Sequence, residues 1–139
     1  MAEVLVVADS PSVLADVRAA LEDSGTEITE VGAGELVRDA VAALKPDLVV
    51  TDLQVSAMGG IAICLDLHLE ASAGRIPEVP VLILLDRRAD VFLARRAAAE
   101  GFVLKPLDPR RLRRAARALL GGGTYHDESY EPLPLPTRT

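Results

Sequence analysis

Four short apolar runs and one weaker strand-like stretch, each followed by a stretch with helical spacing, constrain this chain more than any other feature. The runs are Glu3–Ala8, Leu48–Asp52, Val81–Leu85 and Phe102–Leu104, and the weaker stretch is Glu27–Val31. Continuous aliphatic runs of this length read as strands buried on both faces. Between them, apolar residues recur at three- and four-residue intervals. Ser10 and Pro11 suit the N-cap and first position of a helix whose face is Val13, Leu14, Val17 and Leu21, ended by Gly25. Glu35–Leu44 repeats the spacing with Leu36, Val37, Ala40, Val41 and Leu44, and Pro46 breaks the chain before the third strand. Ala89–Ala98 is rich in alanine and arginine and reads as helix. Asp108 and Pro109 cap a last helix with Leu112, Ala116, Leu119 and Leu120 towards the sheet, and Gly121–Gly123 stop it. Five βα units of this kind predict an α/β fold, a doubly wound five-stranded parallel sheet. Residues 1–121 form the domain. Residues 122–139, acidic and carrying Pro132, Pro134 and Pro136, are expected to be a disordered tail or linker.

Residues 60–71 fit two patterns. Ile61, Ile63, Leu65, Leu67 and Leu69 alternate as in a strand, but the architecture calls for a helix there. As a helix, Ile61, Cys64, Leu65 and His68 are expected to face inward. Ile63 and Leu67 would then form an outward stripe, either a contact surface or a patch under a neighbouring loop.

The chain has 139 residues and half of them are hydrophobic, enough for one domain with a core. Two Phe, two Tyr and no Trp make that core aliphatic. No apolar run reaches the roughly 20 residues needed to span a bilayer, and no membrane association is expected. Nothing at Met1–Glu3 resembles a secretion signal, and a single cysteine, Cys64, fits a reducing cytoplasm. Cys64 and His68 are spaced as helical metal ligands can be, but two residues make no zinc site, and a packing role is expected. Residues 1–70 hold 13 acids and 3 bases, whereas residues 71–121 hold 5 acids and 11 bases. The basic half suits acidic partners. Without interleaved aromatics or a helix-turn-helix or zinc pattern, nucleic acid is disfavoured.

Three strand ends carry chemistry: Asp9 after the first, Asp52 at the third and Lys105 after the fifth. Open α/β sheets place their sites outside the carboxyl ends of the strands. No Gly-rich dinucleotide fingerprint or P-loop is present. An aspartate can accept a phosphoryl group as an acyl phosphate, and a divalent cation offsets the repulsion. Asp9, Asp52 and the backbone carbonyl of Gln54 could hold Mg²⁺, and Lys105 could meet a phosphate oxygen. Taken singly, each of these residues is a turn or surface group. Their joint placement makes the site.

The segments VLVVADSPSV at 4–13, PDLVVTDLQVSAMGG at 46–60 and AAAEGFVLKPLDP at 97–109 resemble the receiver domain of two-component response regulators. The resemblance covers about residues 3–121 and implies the flavodoxin-like (βα)₅ fold. It puts the phosphoacceptor on Asp52, the principal Mg²⁺-binding acid on Asp9 and the family's lysine on Lys105, with a cis bond before Pro106. It puts the switch aromatic on Phe102 and the output surface on the arginine-rich segment 87–117. It implies a histidine kinase or phosphotransfer protein as donor, and a downstream protein or a second copy as reader.

Three departures make the receiver atypical. Ala8 stands where the family usually has a further acid, which implies weaker Mg²⁺ binding. Leu85 stands at the switch hydroxyl and cannot hydrogen-bond a phosphoryl oxygen. Ser56 replaces a proline in the loop after Asp52. A pseudo-receiver, serving as an interaction or dimerisation module without phosphorylation, is the competing reading. A small aspartyl-phosphate phosphatase is a third, opposed by Gln54 where a second acid would be needed. With about 18 residues after the last helix, no effector domain is expected within these residues. The chain is expected to be a stand-alone regulator or a fragment of a longer protein.

Overall fold

The computed structural model describes residues 2–23 and 25–129. Strands β1 (Ala2–Val7), β2 (Thr26–Val31), β3 (Leu48–Asp52), β4 (Val81–Leu85), β5 (Gly101–Leu104) and β6 (Tyr125–His126) form one sheet. Their order is β2-β1-β3-β4-β5-β6, and every pair is parallel. Helices α1 (Pro11–Leu21), α2 (Val37–Leu44), α3 (Gly60–Ser72), α4 (Val91–Arg96) and α5 (Pro109–Leu120) connect the strands.

Alternation along the strands builds two cores. Leu5, Val7, Val49, Ile83 and Phe102 pack with Val37 and Val41 of α2, Ile63 and Leu67 of α3, and Ala94 of α4. Val4, Val6, Leu48, Val50, Leu82 and Val103 pack with Val13 and Val17 of α1 and with Leu112, Ala115 and Leu119 of α5. Both cores are aliphatic apart from Phe102, and burial of each such side chain contributes roughly 1.5–3 kcal/mol.

The helix starts follow from the sequence. Ser10 accepts a hydrogen bond from the Val13 N–H with Pro11 beside it, and Asp108 accepts from the Arg110 N–H at the head of α5. α5 ends against Gly121 as expected, but other helix boundaries differ. α1 stops at Leu21 rather than at Gly25. Short 3₁₀ turns, Gly34–Leu36 and Arg88–Asp90, replace the first turns expected of α2 and α4. Leu36, Leu44 and Leu120, read as inward, are exposed.

Two expectations are corrected. In α3, Ile63, Cys64 and Leu67 are buried, whereas Leu65 and Leu69 are exposed. The stripe expected to point outward is the packed one, because α3 rests on the sheet along 60-63-64-67. The second correction is the sixth strand. Tyr125 and His126, in the stretch expected to be disordered, pair with Gly101 and Phe102. The proline part of that expected tail, residues 130–139, lies outside the described residues.

Candidate functional site at the carboxyl rim of the sheet

The register brings the functional side chains to one rim. Val7 pairs with Thr51, so Asp9 projects just beyond the level of Asp52. Asp52 pairs with Leu84, and Leu84 with Val103, so Lys105 follows two residues above that level. Gly60 lets α3 start close against β3, since a Cβ there would lie 2.5 Å from the Asp52 carbonyl oxygen.

Asp52 is 3 % exposed, and its Oδ1 accepts a hydrogen bond from Lys105 Nζ at 2.6 Å. Lys105 Nζ also donates to Asp86 Oδ1 at 2.9 Å. Partial burial would push the Lys105 ammonium down, but the hydrogen bonds it donates to Asp52 and Asp86 outweigh it and hold the group above the ordinary lysine range. The Lys105–Pro106 bond is cis, as the resemblance implied.

Asp9 is exposed and is held differently. Its Oδ2 accepts from the Ser56 hydroxyl and from the Ser56 N–H, the latter at 2.9 Å. The Ser56 side chain is the main cause of an Asp9 carboxyl below the ordinary range, with the backbone donor second. Ala33 forms a parallel bridge to Ser56, and Gly34 N–H donates to its carbonyl at 3.1 Å. Ala57 turns the loop through φ +70°, a left-handed conformation costly for a residue with a Cβ. Asp9, Gln54, Val55, Ser56 and Gly59 line an open depression of about 520 Å³.

Among the described residues no three His, Cys, Asp or Glu side chains form a metal-holding group. Besides Asp86, which is bonded to Lys105, the rim carries the carboxylates of Asp9 and Asp52 and the main-chain oxygen of Gln54. These are hard oxygen donors of the number Mg²⁺ accepts when water and a phosphate complete its shell.

The other sequence candidates fall in the interior. Leu85 is fully buried, and its side chain has no atom that can hydrogen-bond at the rim. Phe102 is 1 % exposed, with Arg95 over its ring at 5.5 Å. Cys64 is buried, and burial first, then the nearby Glu100 charge, pushes its thiol up to about 12. It remains a protonated packing group. His68 instead meets Glu100, at 3.0 Å from Nε2 to each carboxylate oxygen.

Sequence reasoning missed Asp86. It follows β4 directly, so the strand-end rule that singled out Asp9 and Asp52 applies to it equally.

The fold is thus a parallel α/β sheet with a buried aspartate and a paired lysine at its carboxyl rim. The chain belongs to the response regulator receiver domain family, whose model matches residues 4–117. It is a domain of two-component signalling systems rather than a metabolic enzyme, and such domains work with histidine kinases and effector domains. It is 33 % identical over 134 residues to the DNA-binding response regulator MtrA of Mycolicibacterium smegmatis, covering 95 % of this chain and 55 % of that one. The chain thus spans about half the length of that curated relative.

Among solved structures, a response regulator from Chloroflexus aurantiacus superimposes with TM-score 0.78 at 20 % identity, covering 86 % of this chain and 98 % of the other. The receiver domain of a signal transduction histidine kinase from Syntrophus aciditrophicus gives TM-score 0.76 at 25 % identity, covering 99 % and 100 %. No helix among the described residues is long and apolar enough to cross a membrane.

Proposed function

We propose that Asp52 accepts a phosphoryl group from a phosphohistidine presented by a histidine kinase or phosphotransfer protein. An Asp52 carboxylate oxygen attacks phosphorus and the P–N bond breaks. The electron pair leaves on the imidazole nitrogen, which takes a proton from solvent. An acyl phosphate remains on Asp52. The observation that carries this reading is the 2.6 Å pairing of a nearly buried Asp52 with Lys105 at the strand-end rim. Lys105 neutralises the carboxylate beforehand and is within reach of a phosphoryl oxygen on it afterwards.

Asp9, Asp52 and the Gln54 carbonyl would hold Mg²⁺, which supplies positive charge between the two anions. Ser56 keeps Asp9 ionised and oriented for that task. The surface at 87–117 reports the state of the site to a downstream protein or to a second copy. With a single cysteine, which fits a reducing compartment, we place the domain in the cytoplasm.

Beryllofluoride with Mg²⁺ tests this reading. Binding should shift the amide signals around Lys105 and Phe102, Asp52→Asn should abolish it, and Asp9→Ala should abolish Mg²⁺ binding. Intact binding in Asp52→Asn would refute the assignment.

One specific observation favours the second reading, a receiver fold read without phosphorylation. Asp86 shares Lys105 and adds a negative charge at the mouth, while Leu85 and Ala8 offer neither a hydroxyl nor an acid. Partner affinity that is unchanged in Asp52→Asn would select this reading.

A further inference from the structure

β5 is the last strand that the sequence periodicity calls for, and with five strands it would form the sheet edge between α4 and α5. A bare edge presents a row of main-chain donors and acceptors to any extended segment. Here the edge is filled from within the chain. Tyr125 N–H donates to the Glu100 carbonyl at 3.0 Å, and Asp127 N–H donates to the Phe102 carbonyl at 3.2 Å. Leu104 N–H, just past the two paired residues, donates to Asp127 Oδ2 at 2.9 Å.

The side chains of this segment alternate between two helices. His126 stacks on Phe102 with ring centroids 5.1 Å apart and planes 13° apart, on the α4 side. Asp127 is 2 % exposed and turns towards α5, 3.7 Å from Arg111 Nε, and its Oδ1 accepts from the Ser129 N–H. The backbone is shaped for close approach. A Cβ on Gly101 would lie 3.1 Å from the Tyr125 carbonyl oxygen and 2.9 Å from Leu119.

The charges match as well. The groove runs between Arg95 of α4, which lies over the Phe102 ring, and Arg111 of α5, and the segment in it carries Asp127 and Glu128.

We propose that the β5 edge is a docking groove for an extended acidic peptide segment, and that residues 125–127 are the chain's own occupant of it. A partner protein would contribute one strand, a flat ring over Phe102 and, one residue on, a carboxylate on the Leu104 N–H beside Arg111. This is recognition by strand addition, with main-chain bonds giving affinity and alternate side chains giving selectivity. The tethered segment has the advantage of a high effective concentration, so a free peptide enters only when the tether is released. A polynucleotide offers no main-chain ladder for β5, which is why the groove favours polypeptide.

The test uses the full chain carrying Tyr125→Pro, which removes the N–H bonded to Glu100. The probe is a labelled, end-blocked peptide of residues 123–129 followed by fluorescence anisotropy. The variant should bind the probe at least tenfold more tightly than the unaltered chain. Leu104 amide protection should be lost in the variant and regained with the peptide. A peptide with Asn in place of Asp127 should bind at least fivefold more weakly.

Asp127→Ala in the full chain releases the same segment from its side-chain anchor and should give the same ordering. The proposal is overturned if neither variant binds the probe more tightly than the unaltered chain. Full Leu104 protection in Asp127→Ala also overturns it. So does displacement of the probe by single-stranded oligonucleotide as readily as by unlabelled peptide.

Discussion

Two carboxylates, 3 % and 2 % exposed, hold consecutive residues at the end of the same strand. Asp52 takes the ammonium of Lys105, and Asp127 takes the main-chain N–H of Leu104. Similar burial thus serves different ends. Asp52 is paired with a mobile, flexible-stemmed cation that can turn to a new anion. Asp127 is satisfied by two main-chain donors and flanked by Arg111, so it can leave only if another carboxylate takes its place. Their difference separates a carboxylate poised for chemistry from one that fixes structure: what matters is whether the partner can leave without stranding a buried polar group.

Four measurements would break or sharpen that contrast. The largest effect is expected from Asp52→Asn, in which acyl phosphate formation from acetyl phosphate should fall to background while the fold persists. Acid-stable and hydroxylamine-sensitive label would be compared with the unaltered chain, and retained hydroxylamine-sensitive label would end the distinction. Next is Asp127→Ala, which leaves the Leu104 N–H without its acceptor. Urea unfolding should report a loss of about 1–3 kcal/mol, and Asp127→Asn should lose less because its amide oxygen can still accept.

Smaller again is Asp86→Ala. It removes a negative charge from the mouth and leaves Lys105 to Asp52 alone, so the rate of labelling by acetyl phosphate should rise severalfold. An unchanged or lower rate would show that Asp86 does not oppose the incoming anion. The smallest effect concerns pH. The Lys105 pKa is raised by folding, so its contribution is fully present below the ordinary lysine value of 10.5 and is lost as pH rises through the higher folded value. Nζ-resolved NMR should therefore show no titration of Lys105 across the neutral range. For Asp9 the sign reverses. Its pKa lies below the ordinary 3.8, so the Ser56 contact persists above that value and is lost as pH falls through the folded one.

Much of this was legible from residues. Runs such as Leu48–Asp52 are too apolar and too short for anything but buried strands, and Ser10-Pro11 and Asp108-Pro109 carry their capping chemistry in the side chains themselves. α3 was legible as a helix but not in its orientation. Apolar residues at 61, 63, 64, 65, 67 and 69 surround most of its circumference, so periodicity alone cannot choose the face. Packing against the sheet chooses Ile63, Cys64 and Leu67.

β6 was illegible for another reason. Two residues carry no period, and this strand is held by main-chain bonds, one carboxylate and the stack of His126 on Phe102, which leave no periodic hydrophobic trace in sequence. At the site, the strand-end rule reached Asp9, Asp52 and Lys105, and the structure brings the latter two into contact. Asp86 escaped because Leu85 drew attention to what the rim lacks rather than to the acid beside it.

The parallel course of β6 has a mechanical corollary. The chain leaves the sheet after His126 heading the same way as β5, towards the rim that carries Asp52. A pull applied downstream of Ser129 would reach Asp127 first, and through its grip on Leu104 it would load the peptide that positions Lys105. Cargo attached there would therefore have a handle on the ammonium group without ever touching the rim.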